Sequence, residues 1–272
     1  MLKRFLIRAG SQPQVRRAAE QLFRLPVLGP VCRRLAGSLV PRGQRTWIQI
    51  PQGPAKGMWL KVEPYWEPGY VGGVPEPGVP AMIEEFLKPG DCFYDVGAHV
   101  GFYSLLAARL VGEAGRVIAL EPDADNVAVL NEVVARNNLK HVRVARAAVW
   151  DSDGEVTFER GLDTPSRMGG RVAETSSAQN SPNEMVSVPA VALDTLAAAD
   201  RPPSVIKIDV EGGEKQVLQG ARRVLEVNKP VLVVEIHDQE STEEVSRMLS
   251  AWGYKLHSVH PTGVKVHACF VV

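Results

Sequence analysis

Between residues 92 and 237, strand-like runs of apolar residues alternate with stretches of helical periodicity. This alternation restricts the possible fold more than any other feature. The predicted strands are Cys92–Val96, Arg116–Leu120, Val142–Val149, Val205–Val210 and Val231–His237. The predicted helices are Gly101–Val111, Asp125–Asn138, Glu214–Leu225 and Ser241–Trp252. Strands that alternate with helices of this length indicate an α/β fold with a parallel sheet covered by helices.

Two further strands follow the last helix and are predicted to pair with each other. They are Lys255–Val259 and Lys265–Val272, and Pro261 and Gly263 lie between them. Strands separated by so short a turn pair antiparallel, because a parallel pair needs a long crossover.

The parallel arrangement is interrupted between Asp151 and Thr195, where no helical pattern occurs. Residues 155–159 and 186–191 resemble short strands, whereas residues 160–185 are rich in Gly, Ser, Asn and Pro. Long segments without regular structure are often functional loops. We therefore predict a flap at about residues 160–185, at the mouth of the site.

Three segments are predicted along the chain. Residues 1–45 form a basic helical extension, and residues 46–80 form a β and loop region that caps the substrate side. Residues 81–272 form the catalytic domain. The apolar content of 45% and charged content of 23% are typical of a globular chain.

The composition excludes several other classes of protein. No run of about 18 apolar residues occurs, so no membrane-spanning helix is predicted. The three cysteines are far apart, which favours a reducing compartment, and we expect a cytoplasmic protein. No residue spacing requires a metal: His257 and His260 would point to opposite faces of a strand, and we predict no metal site.

The turn after the first parallel strand indicates a cofactor site. It contains Asp95, Gly97, Ala98, His99 and Gly101, between a strand and a helix. Glycines there allow a ligand to approach the backbone. A dinucleotide motif needs glycines two and five residues after the first, where this chain has His99 and Phe102. An acid two residues before the first glycine suits a ligand with a cationic amino group, such as S-adenosylmethionine (SAM).

The ends of the next two strands extend this site. Glu121 follows the second strand, where a carboxylate can accept hydrogen bonds from both hydroxyls of a ribose. A helix-capping or surface acid is the alternative for Glu121 alone. Ala147 and Ala148 follow the third strand and leave room for an adenine ring.

Polar residues on two buried strands indicate the catalytic site. Lys207, Asp209 and Glu211 share one side of their strand if it stays extended, and Glu235 and His237 share one side of the next. Polar residues at the carboxyl ends of parallel strands usually serve ligand chemistry. Asp209 or His237 can take the proton from an acceptor hydroxyl. For Lys207 and Glu235, a buried ion-pair network is the alternative.

Five stretches of the chain resemble the FkbM family of SAM-dependent methyltransferases. They begin at Asp95, Leu120, Val191, Ile206 and Val234, and the second of them ends at Asn126. The resemblance implies a class I, Rossmann-like fold with seven mostly parallel strands, the last strand being antiparallel.

The resemblance also implies a function and site residues. It implies O-methylation of a saccharide or polyketide hydroxyl. It implies that Asp95, Gly97, Gly101 and Glu121 bind SAM and that Asp209, Glu211 and His237 face the acceptor. The complete predicted cofactor set adds Ala98, His99, Asn126, Ala147 and Ala148.

The basic head lies outside these motifs. Residues 1–45 hold ten basic residues and one acid, a formal charge of +9, and the remainder of the chain carries −9. Peripheral contact with an anionic membrane, docking to an acidic partner, and packing on the acidic body are the alternatives. Aromatic residues are few there, so no specific nucleic acid is expected. The alternative to an enzyme is a non-catalytic SAM-binding scaffold that docks through this head.

Overall fold

The computed structural model describes residues 43–73, 75–76, 78–161, 169–173, 183–262 and 265–272. The described chain divides into two compact units, of which the first ends at Pro75 and the second begins at Glu76. The predicted helices of the basic head lie outside the described residues. The three-segment division stays a prediction.

The first unit contains an antiparallel strand pair and one short helix. Strand β1 (Thr46–Gln49) pairs with β2 (Trp59–Val62), and α1 spans Pro68–Gly72. Residues 46–80 were predicted to contain only strands and loops, so α1 corrects that prediction. This helix ends at Gly73, whose φ of +73° is readily accessible to glycine.

The second unit contains the remaining strands and helices of the described chain. The strands are β3 (Cys92–Val96), β4 (Arg116–Leu120), β5 (Val142–Ala145), β6 (Ala148–Val149), β7 (Gly154–Glu159), β8 (Arg171–Val172), β9 (Met185–Val191), β10 (Val205–Ile208), β11 (Val231–Ile236), β12 (Lys255–Thr262) and β13 (Lys265–Val271). The helices are α2 (Val79–Phe86), α3 (Phe102–Val111), α4 (Ala124–Arg136), α5 (Leu193–Ala199), α6 (Glu214–Gln219), α7 (Arg222–Val227) and α8 (Gln239–Ala251). None of the helices in the described ranges is long and apolar enough to cross a membrane.

The main sheet has seven strands in the order β12-β13-β11-β10-β3-β4-β5. Strands β5, β4, β3, β10 and β11 are parallel, and β13 runs antiparallel to both β11 and β12. The predicted class I arrangement is therefore confirmed. The central strands β3 and β10 are buried along their whole length, as expected for a parallel sheet covered on both faces.

A second sheet of four strands holds the chain that interrupts the parallel arrangement. Its order is β6-β9-β7-β8, and the predicted short strands correspond to β7 and β9. Strand β8 pairs with β7, so part of the segment predicted to be an irregular flap has regular structure. Residues 162–168 and 174–182 of that predicted flap lie outside the described residues.

Two predicted elements are divided in the structure. The predicted strand Val142–Val149 pairs with β4 only as far as Ala145, after which β6 joins the smaller sheet. The predicted helix Glu214–Leu225 is divided at Gly220. A Cβ there would lie 2.1 Å from the Trp150 carbonyl oxygen, so only glycine allows this approach.

Candidate active site

The turn between β3 and α3 passes directly beside the end of β10. Gly97 and Gly101 have φ of +77° and +92°, and His99 has +50°. A Cβ at Gly97 would lie 1.8 Å from the backbone oxygen of Asp209. Glycine is therefore required at position 97 by both backbone conformation and packing, and it brings the predicted cofactor turn against the predicted base.

Asp95 lies on β3 with its carboxylate completely buried. Its Oδ2 accepts a hydrogen bond of 2.6 Å from the Ser104 hydroxyl. Its Oδ1 has no hydrogen-bond partner among the described residues, although Lys207 Nζ lies 3.8 Å away. Burial raises the pKa of Asp95. An incompletely satisfied buried carboxylate attracts a cationic group, such as the amino group of a ligand.

Glu121 follows β4 and is held by hydrogen bonds from the main chain and one amide. Oε2 accepts from the His99 backbone N–H at 2.8 Å, and Oε1 accepts from the Asp123 N–H at 3.0 Å. The Asn126 amide donates to Oε1 at 3.3 Å. Burial raises the pKa of Glu121 to about 7. Two segments that were predicted to hold cofactor, around His99 and Asn126, thus meet on one carboxylate.

Small side chains occupy the remaining predicted cofactor positions. Ala98 follows Gly97 in the turn, and Ala147 and Ala148 follow β5; all three are buried. They lie after the carboxyl ends of β3 and β5, on either side of β4. Their methyl groups leave more space at this edge of the sheet than longer side chains would, and the predicted adenine ring needs such space.

Lys207 and Asp209 form a buried ion pair at the end of β10. Lys207 Nζ lies 3.1 Å from Asp209 Oδ2, and the backbone of Lys207 pairs with Asp95 on β3 and Val233 on β11. Burial would lower the pKa of Lys207, but Asp209 and Asp95 outweigh it, so the pKa rises. Burial and nearby carboxylates raise the pKa of Asp209 to about 6, despite Lys207.

Glu211 lies in a turn and not on an extended strand. Strand β10 ends at Ile208, and Glu211 has φ of +53°, so the predicted strand as far as Val210 is too long. The turn directs Glu211 toward the neighbouring strand end, where its Oε2 lies 2.9 Å from His237 Nε2. The sequence grouping of Asp209, Glu211 and His237 is therefore retained, although by a different backbone path.

Three carboxylates surround His237 at the end of β11. Nδ1 lies 2.8 Å from Oε1 of the buried Glu214, and Nε2 lies 2.9 Å from Glu211 and 3.3 Å from Glu235. Nε2 has no hydrogen bond of regular geometry among the described residues, but both carboxylates lie within ion-pair distance of it. Burial would lower the pKa of His237, but the three carboxylates outweigh it and raise the pKa to about 11.

Four residues of this cluster were missed by the sequence reasoning. Lys265 Nζ lies 2.7 Å from Glu235 Oε1, and His267 Nε2 lies 2.8 Å from Glu235 Oε2. Glu76 lies 3.7 Å from His267 and accepts a hydrogen bond from the Tyr103 hydroxyl. The alternation of Lys265 and His267 on the predicted last strand was the available signal. Nothing in the sequence indicated Glu76 or Tyr103.

The chain matches the family model described as the methyltransferase FkbM domain over residues 95–256. The chain belongs to the FkbM methyltransferase family. The Haloferax volcanii protein named hexuronic acid methyltransferase AglP is 27% identical over 222 residues, which cover 76% of this chain and 85% of that protein. The solved methyltransferase FkbM from Methylobacillus flagellatus is 16% identical, with a TM-score of 0.50, and the match covers 89% of this chain and 60% of that one.

This FkbM protein is a SAM-dependent methyltransferase, as predicted. The site suits SAM on three counts. Asp95 has a buried oxygen without a hydrogen-bond partner among the described residues, Glu121 presents a buried carboxylate at the end of β4, and the turn after β3 has glycines with positive φ at positions 97 and 101. Which residues hold the cofactor stays a prediction.

Two groups of side chains in the described part of this FkbM chain have donor atoms close enough for a cation. In each group, one atom per residue lies within 4.8 Å of the others: Asp209 with Glu211 and His237, and Glu76 with Glu235 and His267. Asp238 is in neither group, because its carboxylate caps α8 through the Ser241 N–H at 2.7 Å. The expected absence of a metal stays a prediction.

The two histidines of the HxxH pattern make separate contacts. His257 Nε2 lies 3.1 Å from Glu85, and the His260 ring packs against Gly78. Neither is in a group of potential metal ligands among the described residues.

Proposed function

We propose that this protein transfers the methyl group of SAM to a hydroxyl oxygen of a saccharide. The observation that carries the proposal is Asp209, whose backbone lies directly against Gly97 and whose carboxylate has a pKa of about 6. A carboxylate with a raised pKa accepts a proton more readily than an ordinary one and is still ionised at neutral pH. The hexuronic acid named for the Haloferax volcanii relative supports a saccharide acceptor.

Asp209 is a better base than His237 at neutral pH. A base must be without its proton before it reacts, and His237 has a pKa of about 11 among its three carboxylates. His237 therefore carries a proton and a positive charge, so it can donate a hydrogen bond to the acceptor. Asp209 is 21% exposed in its side chain, which leaves it accessible to an incoming hydroxyl.

The neighbours of Asp209 have supporting roles in this proposal. Lys207 keeps its charge and holds Oδ2 of Asp209 at 3.1 Å, which fixes the orientation of the carboxylate. Glu211 and His237 face the acceptor and bind its other hydroxyls. A sugar offers several hydroxyls of similar reactivity, so the position of methylation depends on this orientation.

The cofactor residues act by binding and orientation. When bound, SAM would supply a methyl group on a positively charged sulfur, and the acceptor oxygen would bond to that methyl carbon as the carbon–sulfur bond breaks and the neutral thioether leaves. Glu121 accepts hydrogen bonds from ribose hydroxyls, Asp95 attracts the amino group, and the alanines at 98, 147 and 148 enclose the adenine. The polar set at the ends of β10 and β11 favours an enzyme over a non-catalytic SAM-binding scaffold.

A uronic acid acceptor gives a sharp test, because it contains two kinds of oxygen. Its carboxylate is ionised at pH 7 and needs no base, whereas its hydroxyls need one. We expect the wild type to convert saccharides that contain hexuronic acid into methyl ethers, measured by a mass increase of 14 Da that mild alkali does not remove. Loss of the added mass in alkali would indicate a methyl ester and contradict the proposed hydroxyl acceptor.

Asp209→Asn tests the base itself. We expect turnover of the hydroxyl acceptor to fall at least about 100-fold, since general base catalysis contributes about 10²–10⁴. SAM affinity, measured by calorimetry, should stay within about threefold of the wild type. Asp238→Asn is a matched control on the next strand end, because that carboxylate caps α8. Equal turnover in wild type and Asp209→Asn would exclude this role.

A further inference from the structure

One arginine joins the smaller sheet to the turn that holds Glu121. Arg160 follows β7, and its guanidinium contacts Asp123 twice, with Nε at 2.7 Å from Oδ2 and Nη2 at 3.3 Å from Oδ1. Nη2 also donates to Asp125 at 2.8 Å, and Nη1 donates to Glu184 at 3.0 Å. The side chains of Arg160 and Asp123 are 14% and 2% exposed, so their ion pair is shielded from solvent, whereas Asp125 and Glu184 are about half exposed.

Asp123 passes this restraint to α4. The carboxylate of Asp123 caps the helix by accepting hydrogen bonds from the backbone N–H groups of Asp125 and Asn126, at 2.8 and 3.2 Å. Arg160 hydrogen bonds keep the pKa of Asp123 low although its burial opposes this, so the cap stays ionised. A paired arginine and carboxylate with two hydrogen bonds has a fixed relative orientation.

The capped turn then holds the carboxylate of Glu121. The Asp123 N–H and the Asn126 amide both donate to Glu121 Oε1, so both donors belong to the segment that Arg160 restrains. Arg160 itself does not contact Glu121 in the described contacts. Its effect on that carboxylate must pass through Asp123.

We propose that Arg160 is a positioning residue for the cofactor, which orients Glu121 toward the ribose through Asp123 and couples SAM affinity to the smaller sheet. This inference goes beyond the proposed acceptor chemistry, but it rests on the proposed ribose-binding role of Glu121. It assigns to the smaller sheet, through Arg160 at the end of β7, an indirect function in cofactor binding.

The test compares Arg160→Met and Arg160→Lys with a control from the same sheet. Arg171→Met is the control, since Arg171 pairs with Glu159 across β7 and β8 and is half exposed. We expect Arg160→Met to weaken SAM binding about tenfold in calorimetry, Arg160→Lys to recover part of that loss, and Arg171→Met to bind as the wild type does. A wild-type SAM affinity in Arg160→Met would overturn the proposal.

A double-mutant cycle with Glu121→Ala separates positioning from general stability. If Arg160 acts through Glu121, Arg160→Met should change SAM affinity less than about twofold once Glu121 is already alanine. If the losses of SAM affinity caused by the two substitutions multiply in the double variant, Arg160 does not act through Glu121. An unchanged SAM affinity in Glu121→Ala alone would also contradict the proposal. Because the assay contains no acceptor, its result is independent of whether the proposed hydroxyl chemistry is correct. If Arg160→Met does not fold, the same cycle is run with Arg160→Lys.

Discussion

At the scale of single residues, the site is controlled by how charges compensate one another. Glu235 lies among His237, Lys265 and His267, and its interactions with these three residues outweigh its burial and lower its pKa. Lys265 also contacts Glu211, at 3.4 Å. For Asp209, burial together with several nearby acids outweighs the close cationic partner Lys207, so its pKa rises instead. The two carboxylates thus have pKa values shifted in opposite directions. Asp209 is suited to accept a proton, whereas Glu235 stays ionised among its cationic neighbours.

This difference predicts the pH dependence of turnover. At saturating SAM, kcat/KM for the acceptor should rise about tenfold per pH unit below pH 6 and become constant above about pH 7. The reason is that Asp209 must lose a proton with a pKa of about 6 before it can accept another. Initial rates from pH 4.5 to 9 measure this.

The same pH profile distinguishes Asp209 from His237 as the base. If His237 were the base, the rate would continue to rise toward pH 11, where that imidazolium loses its proton. The residual activity of Asp209→Asn should lack the limb near pH 6, and a retained limb would assign it to another group.

At the scale of secondary structure, the contact between the β3–α3 turn and the end of β10 determines the site. Asp209 donates its backbone N–H to the Val96 oxygen at 3.1 Å, which continues the pairing of the two strands beyond their ends. The backbone of Gly97 then passes so close to Asp209 that no side chain is accommodated. Cofactor turn and predicted base are therefore held together by the main chain.

Gly97→Ala should disrupt this contact. The positive φ costs about 1–2 kcal/mol for alanine, and the overlap with the Asp209 oxygen adds about 1–3 kcal/mol of overpacking. We expect a lower unfolding free energy in urea and no measurable SAM binding.

Gly90→Ala is the matched control, with φ of +87° and no atom within 4 Å of the added Cβ. It should lose only the conformational part of the free energy and keep its SAM affinity. Equal losses of stability in the two variants would show that the close approach at Gly97 has no energetic consequence.

At the scale of the whole molecule, the neutral net charge combines a head of +9 and a body of −9. The family match begins at residue 95, well after the head. The predicted catalytic residues Lys207, Asp209, Glu211 and His237 also lie far from the head in sequence. A contribution of the head to location or docking, and not to the chemical step, stays our prediction.

Removing residues 1–42 tests that separation. The truncation retains Gly43, whose N–H donates to Glu63 at 2.7 Å. We expect kcat to stay within about twofold, whereas sedimentation with anionic vesicles should be lost, because each Lys or Arg near such a surface contributes about 1 kcal/mol. Neutral vesicles are the control. A collapse of kcat with an unchanged thermal transition would place the head in catalysis.

Local patterns predicted the central elements well. Strands β3 and β4 have the predicted bounds, because each is a short apolar run that ends at a turn or at an acidic loop. The predicted helix Glu214–Leu225 was wrong as a single element, since the approach of Trp150 to Gly220 comes from a distant segment. Helix α5 was not predicted. Its residue Asp194 accepts hydrogen bonds from the backbone N–H groups of Arg223 and Val224, which lie about 30 residues later in the chain. Such contacts are set by tertiary packing.

The sequence by itself determined the family, the α/β architecture and the candidate cofactor set around Asp95, Gly97 and Glu121. These depend on spacing and on the rule that parallel strands share one functional edge. Only the tertiary structure brought Glu76, Lys265 and His267 to Glu235. Only the tertiary structure raised the pKa values of His237 and Asp209 above their ordinary values. A pKa depends on burial and on charges within a few ångströms, and here those charges come from segments far apart in the chain.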